Sequence, residues 1–423
     1  MQVLRFGDRG AEVALLQKAL VRADAGSLAL DGIFGEKTRA AVLRFQRRKA
    51  LVQDGIVGEK TLAALEPWLI GSVRHTLRAG DTLWKLSLRY GSSLTALETA
   101  NPALDPFHLM IGQTLTVPLP FEVVPTDIPW CSALTGYCIR GLAARYPSIR
   151  TEVIGRSVLG RELFALTAGS GARRVLYTAA HHANEWITAP VLLHYAEELL
   201  SAASLGERIF GADATELLSA CTVGFVPAVD PDGIDLVTGS LTASARSRAA
   251  AIAQNYPRIP FPDGWKANID GVDLNLQYPA GWEEARRIKA EQGFASPAPR
   301  DYVGTAPLTA PESAALAAYT ERVRPALILA YHTQGGVIYW KYRDIEVAGS
   351  RALAERFAAV SGYSYEDTPY ASGFAGYKDW FIEKFDRPGF TVEVGQGENP
   401  LPITQFDEIY AKNRGILTLA ALG

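Results

Sequence analysis

Apolar, strand-like runs alternate with longer helix-like runs throughout residues 123–423. The strand-like runs are residues 175–179, 222–226, 326–331 and 390–394, and the helix-like runs include residues 189–200 and 314–322. Short runs that are apolar throughout are typical of strands with both faces buried. The alternation therefore predicts one large α/β domain whose sheet is covered by helices on both faces.

The beginning of the chain contains an internal repeat. The sequence DGIFGEKT at residues 31–38 recurs as DGIVGEKT at residues 54–61. Each copy predicts a glycine-rich turn whose threonine leads into an amphipathic helix, and an earlier helix is expected at about residues 11–21. With Gln17 and Phe45-Gln46, this segment resembles the helical peptidoglycan-binding domain. The alternative is a small helical bundle without a ligand.

A second small module is predicted between Arg74 and Pro118. It contains the motifs GDTLW, ANP and IGQTLTVP. The segment as a whole predicts a short strand, a helix opened by Asp81-Thr82, a second helix and a closing strand. These elements resemble the LysM domain, a βααβ module. The resemblance implies binding to the N-acetylglucosamine backbone of peptidoglycan or chitin.

The expected organisation is a helical domain at residues 1–70, a LysM domain at 73–118, a linker at 119–129 and a catalytic domain at 130–423. The prolines of the linker predict an extended, stiff spacer. Two cysteines that follow it, Cys131 and Cys138, are close enough in sequence to form a disulfide, and the alternative is a set of buried free thiols.

Bulk properties exclude several classes of protein. A net charge of −3 gives no reason to expect binding to nucleic acid. No apolar run is long enough for a membrane span. The opening residues, MQVLRFGDRG, contain no signal-peptide core. Loss of a leader, another export route and retention until lysis all stay open.

Polar residues with metal-ligand chemistry stand at the ends of two predicted strands. His182 and Glu185 form an HxxE pair directly after the first strand, and imidazole nitrogen and carboxylate oxygen both suit zinc. Such pairs also arise by chance, so a third ligand is needed. His332 ends the run 326–331 and precedes a glycine turn, where strand ends converge on a shared site. Its alternative role is that of a hydrogen-bonded core histidine.

A carboxylate stands inside another apolar strand. Glu393 lies within FTVEV, and burying a carboxylate there costs several kcal/mol, as an order of magnitude, unless it is paired or functional. Pairing with a structural arginine is the alternative. A water bound by the predicted metal is the partner that we expect.

Together these segments resemble the zinc carboxypeptidase family of the carboxypeptidase A type, which implies a mixed-sheet catalytic domain. The resemblance implies one zinc ion held by His182, Glu185 and His332. It also implies that Glu393 is the general base acting on the zinc-bound water.

Substrate-contacting residues follow from the same resemblance. Lys266 is implied as the cation that polarises the scissile carbonyl, where many relatives have arginine, with Arg258 as a less favoured substitute. Asn275 is implied as a contact of the substrate carboxylate. The assisting phenol is assigned to Tyr370, with Tyr377 as the second choice.

One position departs from the family pattern. The family's carboxypeptidases place an arginine after the asparagine, where it grips the C-terminal carboxylate of the substrate. This chain has Leu276, which cannot donate a hydrogen bond. The segments DLNLQ and SGFAGYKDWF also resemble the bacterial branch of γ-D-glutamyl-L-diamino acid endopeptidases.

The resemblance therefore implies hydrolysis of the bond between γ-D-glutamate and a diamino acid, meso-diaminopimelate or lysine, in peptidoglycan stem peptides. The glycan would be bound by the LysM and helical domains, and the stem peptide by the catalytic domain. The implied location is the cell wall or extracellular space, with spore association open. The alternatives are a wall-tethered metallocarboxypeptidase and a wall-binding protein with an inactive peptidase domain.

Overall fold

The computed structural model describes residues 1–423. Three helices come first, followed by a small βααβ unit whose two strands pair in antiparallel register, Ser72 opposite Pro118. The bounds are α1 Ala11–Arg22, α2 Glu36–Arg48, α3 Glu59–Ile70, β1 Ser72–Thr76, α4 Leu83–Tyr90, α5 Leu94–Ala100 and β2 Thr114–Pro118.

The remainder of the chain is an α/β domain, as the alternating runs predict. Its elements are α6 Ser132–Arg145, β3 Arg150–Arg156, β4 Glu162–Ala168, β5 Arg173–Ala179, α7 Thr188–Leu205, β6 Arg208–Ile209, β7 Ala212–Asp213, α8 Ala214–Ala220, β8 Cys221–Val226, α9 Pro231–Val237, α10 Ala243–Ala253, α11 Trp282–Glu291, α12 Pro311–Val323, β9 Leu327–Thr333, β10 Val337–Tyr339, α13 Ser350–Ser361, β11 Ser364–Glu366, α14 Tyr377–Phe385, β12 Gly389–Val394 and α15 Phe406–Leu422. Short 3-10 turns cover Ala183–Glu185, Leu274–Leu276, Tyr370–Ser372 and Ile403–Gln405.

The main sheet has eight strands in the order β11-β10-β12-β9-β5-β8-β4-β3. The strands β12, β9, β5 and β8 run parallel, whereas β4, β3 and β10 introduce antiparallel pairs, so the sheet is mixed. Parallel neighbours end at the same edge of the sheet. The polar residues after β5 and near the ends of β9 and β12 are therefore brought together.

Successive residues of the central strands enter two different core layers. Tyr177 packs in a cluster with α7 and α15, whereas its neighbour Leu176 packs in a cluster with α12 and α14. Side chains of a strand alternate between the faces of its sheet. Helices therefore cover both faces, which confirms the predicted fold class.

The segment before α6 differs from the spacer expected from its prolines. Val123, Val124 and Ile128 are completely buried, and the Glu197 carboxylate accepts hydrogen bonds from the backbone N–H groups of Val123 and Val124, both at 2.8 Å. The segment has no regular secondary structure, yet it is held against α7. Burial of its apolar side chains in a neighbouring core stabilises this packed position, although its prolines alone predict a free spacer.

The three cysteines are free and buried. No helix combines the length and the hydrophobicity that a bilayer crossing demands.

Candidate active site

Three side chains with metal-binding atoms converge at the carboxyl edge of the sheet. His182 Nδ1 lies 2.9 Å from Glu185 Oε1, and His332 Nδ1 lies 2.9 Å from Glu185 Oε2. The two Nδ1 atoms are 3.2 Å apart. One potential ligand atom from each residue lies within 4.8 Å of the others, and all three residues are buried. The structure thus brings together the ligands that the sequence predicts.

The proton arrangement of His182 tests whether this cluster suits a metal ion. Its Nε2 lies 3.1 Å from Asp273 Oδ1 and must donate, because an ionised carboxylate only accepts. In neutral His182 the Nδ1 lone pair then faces the carboxylate lone pairs of Glu185. A cation among these atoms removes that repulsion, and a His₂Glu donor set is one that zinc accepts. The residues therefore fit a metal ion.

The electrostatics around His182 also favour a cation at this site. Burial lowers the pKa of His182, but the carboxylates of Glu185 and Asp273 outweigh it and raise the pKa to about 9. Burial raises the pKa of Glu185, yet His182, Lys266 and His332 hold it well below its usual value. The carboxylates around His182 therefore favour a positive charge at this point of the site.

Glu393 lies directly beside the ligand cluster. In the parallel pair β9 and β12, Glu393 is the partner of His332, which places both residues at the same level of the sheet. Burial raises the pKa of Glu393 to about 8, and the nearby Glu185 carboxylate acts in the same direction. A divalent cation beside it would favour the ionised form.

Lys266 approaches the same cluster from the loop after α10. Its Nζ lies 3.0 Å from Glu185 Oε1. Burial lowers the pKa of Lys266, but the Glu185 carboxylate outweighs burial and raises it. Arg258, the alternative cation, is exposed and lines a neighbouring cavity that Lys266 also lines.

Asn275 and Leu276 lie on the wall of the cleft that contains the metal-binding residues. Both belong to the 3-10 turn Leu274–Leu276, which Asp273 caps by accepting a hydrogen bond from Asn275 N. Asn275 Oδ1 accepts from Tyr377 N at 3.0 Å, so its side chain is fixed to the start of α14. Leu276 is nearly buried among apolar neighbours that include Trp282 and Phe374.

The two tyrosines are not brought to the ligand cluster. Tyr370 is two-thirds exposed, and its hydroxyl donates to Glu284 at 2.6 Å. Tyr377 is fully buried, and its hydroxyl shares a hydrogen bond of 2.8 Å with Thr320. Neither lines the cleft, although Pro369 and Ser372 beside Tyr370 do.

Several cleft residues carry no prediction from the sequence. Asp273 fixes His182 as described above, and it also accepts a hydrogen bond from Asp301 N at 3.1 Å. Charged residues far apart in sequence line the same cleft: Lys289, Arg300, Asp301, Lys378 and Asp379. Asp273 could have been suspected from its place two residues before Asn275. Lys378 and Asp379 belong to the segment SGFAGYKDWF, but no pattern in the sequence places them or the other three in the cleft, so only the fold reveals this.

A buried His–Glu–His set with an acid beside it, on one edge of a mixed sheet, defines a metal-dependent hydrolase. Residues 137–415 match the family model described as zinc carboxypeptidase. The chain belongs to the zinc carboxypeptidase family, and it is therefore a zinc metallopeptidase.

Two curated relatives are similar over most of this domain. Over 278 residues the chain is 44% identical to γ-D-glutamyl-L-diamino acid endopeptidase 1 of Lysinibacillus sphaericus, covering 66% of this chain and 68% of that protein. Over 274 residues it is 39% identical to the uncharacterized protein YqgT of Bacillus subtilis strain 168, covering 64% and 72%.

Solved structures show the same fold at low sequence identity. Carboxypeptidase A from Helicoverpa armigera superposes with a TM-score of 0.53 and 17% identity, covering 89% of this chain and 87% of that one. Bovine thrombin-activatable fibrinolysis inhibitor gives a TM-score of 0.54 and 17% identity, covering 69% and 96%.

The two N-terminal modules also match known families. Residues 9–65 match a peptidoglycan binding domain, and residues 75–118 match the LysM domain. These matches confirm both resemblances and indicate that the chain binds peptidoglycan.

Proposed function

We propose that this chain is a peptidoglycan endopeptidase that hydrolyses the bond between γ-D-glutamate and a diamino acid in stem peptides. The observation that carries the proposal is Leu276 on the cleft wall, beside Asn275. An apolar residue there gives no grip on a C-terminal carboxylate. The 44% identity to an endopeptidase named for this bond supports the same choice.

The roles of the chain's own residues follow from their places in the cleft. His182, Glu185 and His332 would hold the zinc ion. When bound, the ion supplies Lewis acidity and lowers the pKa of a water molecule towards 7. Glu393 is the general base that takes a proton from the attacking water and delivers it to the leaving amine.

Lys266 and Asn275 act on the substrate. The Lys266 ammonium stabilises the charge that develops on the scissile carbonyl oxygen, a contribution of roughly 3 kcal/mol for one well-placed donor. Asn275 orients the peptide through its amide. Tyr370 is the proposed assisting phenol and would have to leave Glu284 to reach the substrate, since its hydroxyl is bonded there.

The wall-binding domains support peptidoglycan as the substrate. A chain tethered to the wall experiences a raised local concentration of stem peptides. We assign glycan binding to the LysM and helical domains, stem-peptide binding to the catalytic cleft, and a cell-wall or extracellular location to the protein.

The decisive experiment is mass spectrometry of muropeptides digested by the zinc-loaded chain, with and without a chelator. The proposal expects new fragments that end in γ-D-glutamate and disappear with the chelator. Release of single C-terminal residues without such a cut would instead identify a wall-tethered metallocarboxypeptidase. Unchanged muropeptides from a zinc-loaded chain would identify an inactive wall-binding protein.

A further inference from the structure

Four arginines gather at the edge of the main sheet that lies opposite the metal-binding residues. Arg173 and Arg174 begin β5, Arg324 precedes β9, and Arg387 precedes β12. These strands are parallel, so their first residues share one edge of the sheet. Since β5 has seven residues, roughly 20 Å of strand separate this edge from the metal-binding residues. The four residues, named here the arginine cluster, therefore form a surface apart from the catalytic cleft.

The arginine cluster lines an open cavity of about 390 Å³ that contains no acidic side chain. The other lining residues are small and apolar: Ala172, Val323 and Ala326. Of the acidic residues nearby in sequence, Glu321 on α12 pairs with Lys384 instead, and Asp386 does not line the cavity. The positive charges of the cluster are therefore not compensated within the cavity.

Backbone carbonyls hold three of the four side chains in place. Arg173 donates to the Ala420 carbonyl at 3.0 Å, and Arg387 donates to the Arg324 carbonyl at 2.6 Å. Arg174 donates at 3.4 Å to a carbonyl at the end of α12. A guanidinium has five N–H donors, so each side chain retains donors for a ligand. Carbonyl capping explains each position, but it does not explain why four like charges share one cavity despite their repulsion.

The chemistry of the cavity restricts the ligand to a repeating phosphate. The fork of a guanidinium matches the oxygens of a phosphate group. One phosphate monoester carries a charge of about −1.5 to −2 at pH 7 and leaves part of the cluster unpaired, whereas a phosphodiester chain brings a negative charge with each repeat. No aromatic ring lines the cavity, so the base stacking that favours single-stranded nucleic acid has no partner there.

We propose that the arginine cluster binds a phosphodiester polymer of the cell wall, built of polyol-phosphate repeats. The two N-terminal modules already direct the chain to peptidoglycan, and a polymer attached to the same wall is within reach of the catalytic domain. The cluster adds a point of attachment on the face away from the cleft, which raises the residence of the chain on the wall. This inference goes beyond the proposed function and does not depend on it.

The test is equilibrium binding of a labelled synthetic poly(glycerol phosphate) to the full, zinc-loaded chain, followed by fluorescence anisotropy over a series of salt concentrations. We expect saturable binding that weakens with salt. The logarithm of the binding constant should fall against the logarithm of the salt concentration with a slope of about 3, since four contacts contribute about 0.7 each. Single-stranded DNA and vesicles of anionic phospholipid are measured in parallel.

A double variant locates the binding surface. Arg174→Gln with Arg324→Gln, two exposed positions, should weaken binding at low salt by about tenfold or more and lower the slope by about 1.5. The matched control is Arg156→Gln with Arg351→Gln, which changes the net charge equally at exposed arginines that are each paired with a glutamate. It should bind the polymer as the unmodified chain does.

Thermal unfolding and zinc content are measured for every variant. If the double variant does not fold, Arg174→Gln alone should still weaken binding by about threefold and lower the slope by about 0.7.

Equal weakening in the control would overturn the inference, because net charge alone would then account for binding. The absence of saturable binding to the polymer would overturn it as well, as would tighter binding to the DNA or to the vesicles than to the polymer. None of these measurements requires hydrolysis, so failure of the proposed function would leave the outcome of this test unaffected.

Discussion

Glu185 is the residue on which the charges of the site converge. Its two oxygens lie within about 3 Å of His182, His332 and Lys266, and Thr333 N donates to it at 3.2 Å. A single carboxylate with this many cationic or protonated neighbours stays ionised although it is buried. The site is thus arranged around one buried negative charge.

Zinc binding should release more than one proton at pH 7.5, because Glu393, whose pKa is raised to about 8 by burial, also loses its proton beside the cation. The pKa of His182 is raised to about 9 in the metal-free site, so its ring is protonated at this pH and must become neutral to ligate. Titration calorimetry in two buffers of different ionisation enthalpy measures this release. Asp273→Asn removes one of the carboxylates that raise the pKa and should reduce it. Binding enthalpies that are independent of the buffer would contradict the expectation.

Glu393→Gln should abolish hydrolysis while zinc remains bound. The amide keeps the shape of the side chain but cannot take a proton, and loss of a general base lowers kcat by about 10²–10⁴-fold. Metal analysis and peptide hydrolysis are measured on the same sample. The control is Glu366→Gln on the edge strand β11, which should be fully active. Undiminished hydrolysis by the zinc-loaded Glu393→Gln variant would exclude this role.

At the scale of elements, the repeated turns of the helical domain are held by equivalent glutamines. Gln17 on α1 accepts from Gly32 N at 2.9 Å and donates to the Ile33 carbonyl at 3.1 Å. Gln46 on α2 accepts from Gly55 N at 3.0 Å and donates to the Ile56 carbonyl at 2.9 Å. The two copies of the repeat therefore share one buried amide arrangement, which explains why a glutamine stands before each turn.

Gln17→Leu should destabilise the helical domain by about 1–3 kcal/mol, because it leaves the buried Gly32 N–H without its partner. Chemical denaturation of the full chain, followed by fluorescence and circular dichroism, measures the loss. Gln53→Leu, at an exposed position, is the control and should change stability by less than about 0.5 kcal/mol. Equal effects of the two substitutions would show that the buried amide does not stabilise the turn.

At the scale of the whole molecule, the helical domain is packed against the catalytic domain. Ala11 N donates to the Thr238 carbonyl at 2.9 Å, and a Cβ on Gly10 would come within 2.5 Å of the Gly239 carbonyl oxygen. One continuous apolar cluster of 71 residues includes α1 side chains as well as those of α7 and α15. This packing fixes the direction of a wall-binding domain relative to the catalytic cleft.

Glu197→Ala should release the segment between β2 and α6. The substitution removes the carboxylate that accepts from Val123 and Val124, and two buried N–H groups lose their partner. Limited proteolysis should then cut within residues 119–129 faster than in the unmodified chain. Glu207→Ala, an exposed glutamate just beyond α7, should leave the cutting rate unchanged. If Glu197→Ala is cut by the protease no faster than the unmodified chain, burial of apolar side chains alone holds the segment.

The sequence by itself determined the modules, the alternation of strands and helices, and the three residues that form the metal-binding cluster. The modules and the alternation carry strong local signals, because strand patterns and turn residues need only a few neighbouring positions. The three cluster residues are weak signals one by one, and the resemblance to the family is what joined them. The sequence also showed that Leu276 stands where the family's carboxypeptidases have arginine, because this comparison needs only one position of a motif.

Only the tertiary structure decided which charged residues, far apart in sequence, line the cleft together with His182 and His332. Lys289 lies on α11, Asp301 in a loop, and the adjacent Lys378 and Asp379 at the start of α14, and no local pattern links these three segments. It also decided that the apolar side chains of the proline-containing segment are buried, and that the hydroxyls of Tyr370 and Tyr377 bond to Glu284 and Thr320. Such outcomes depend on the packing of residues far apart in sequence, so a local sequence pattern does not determine which side chains are buried or paired.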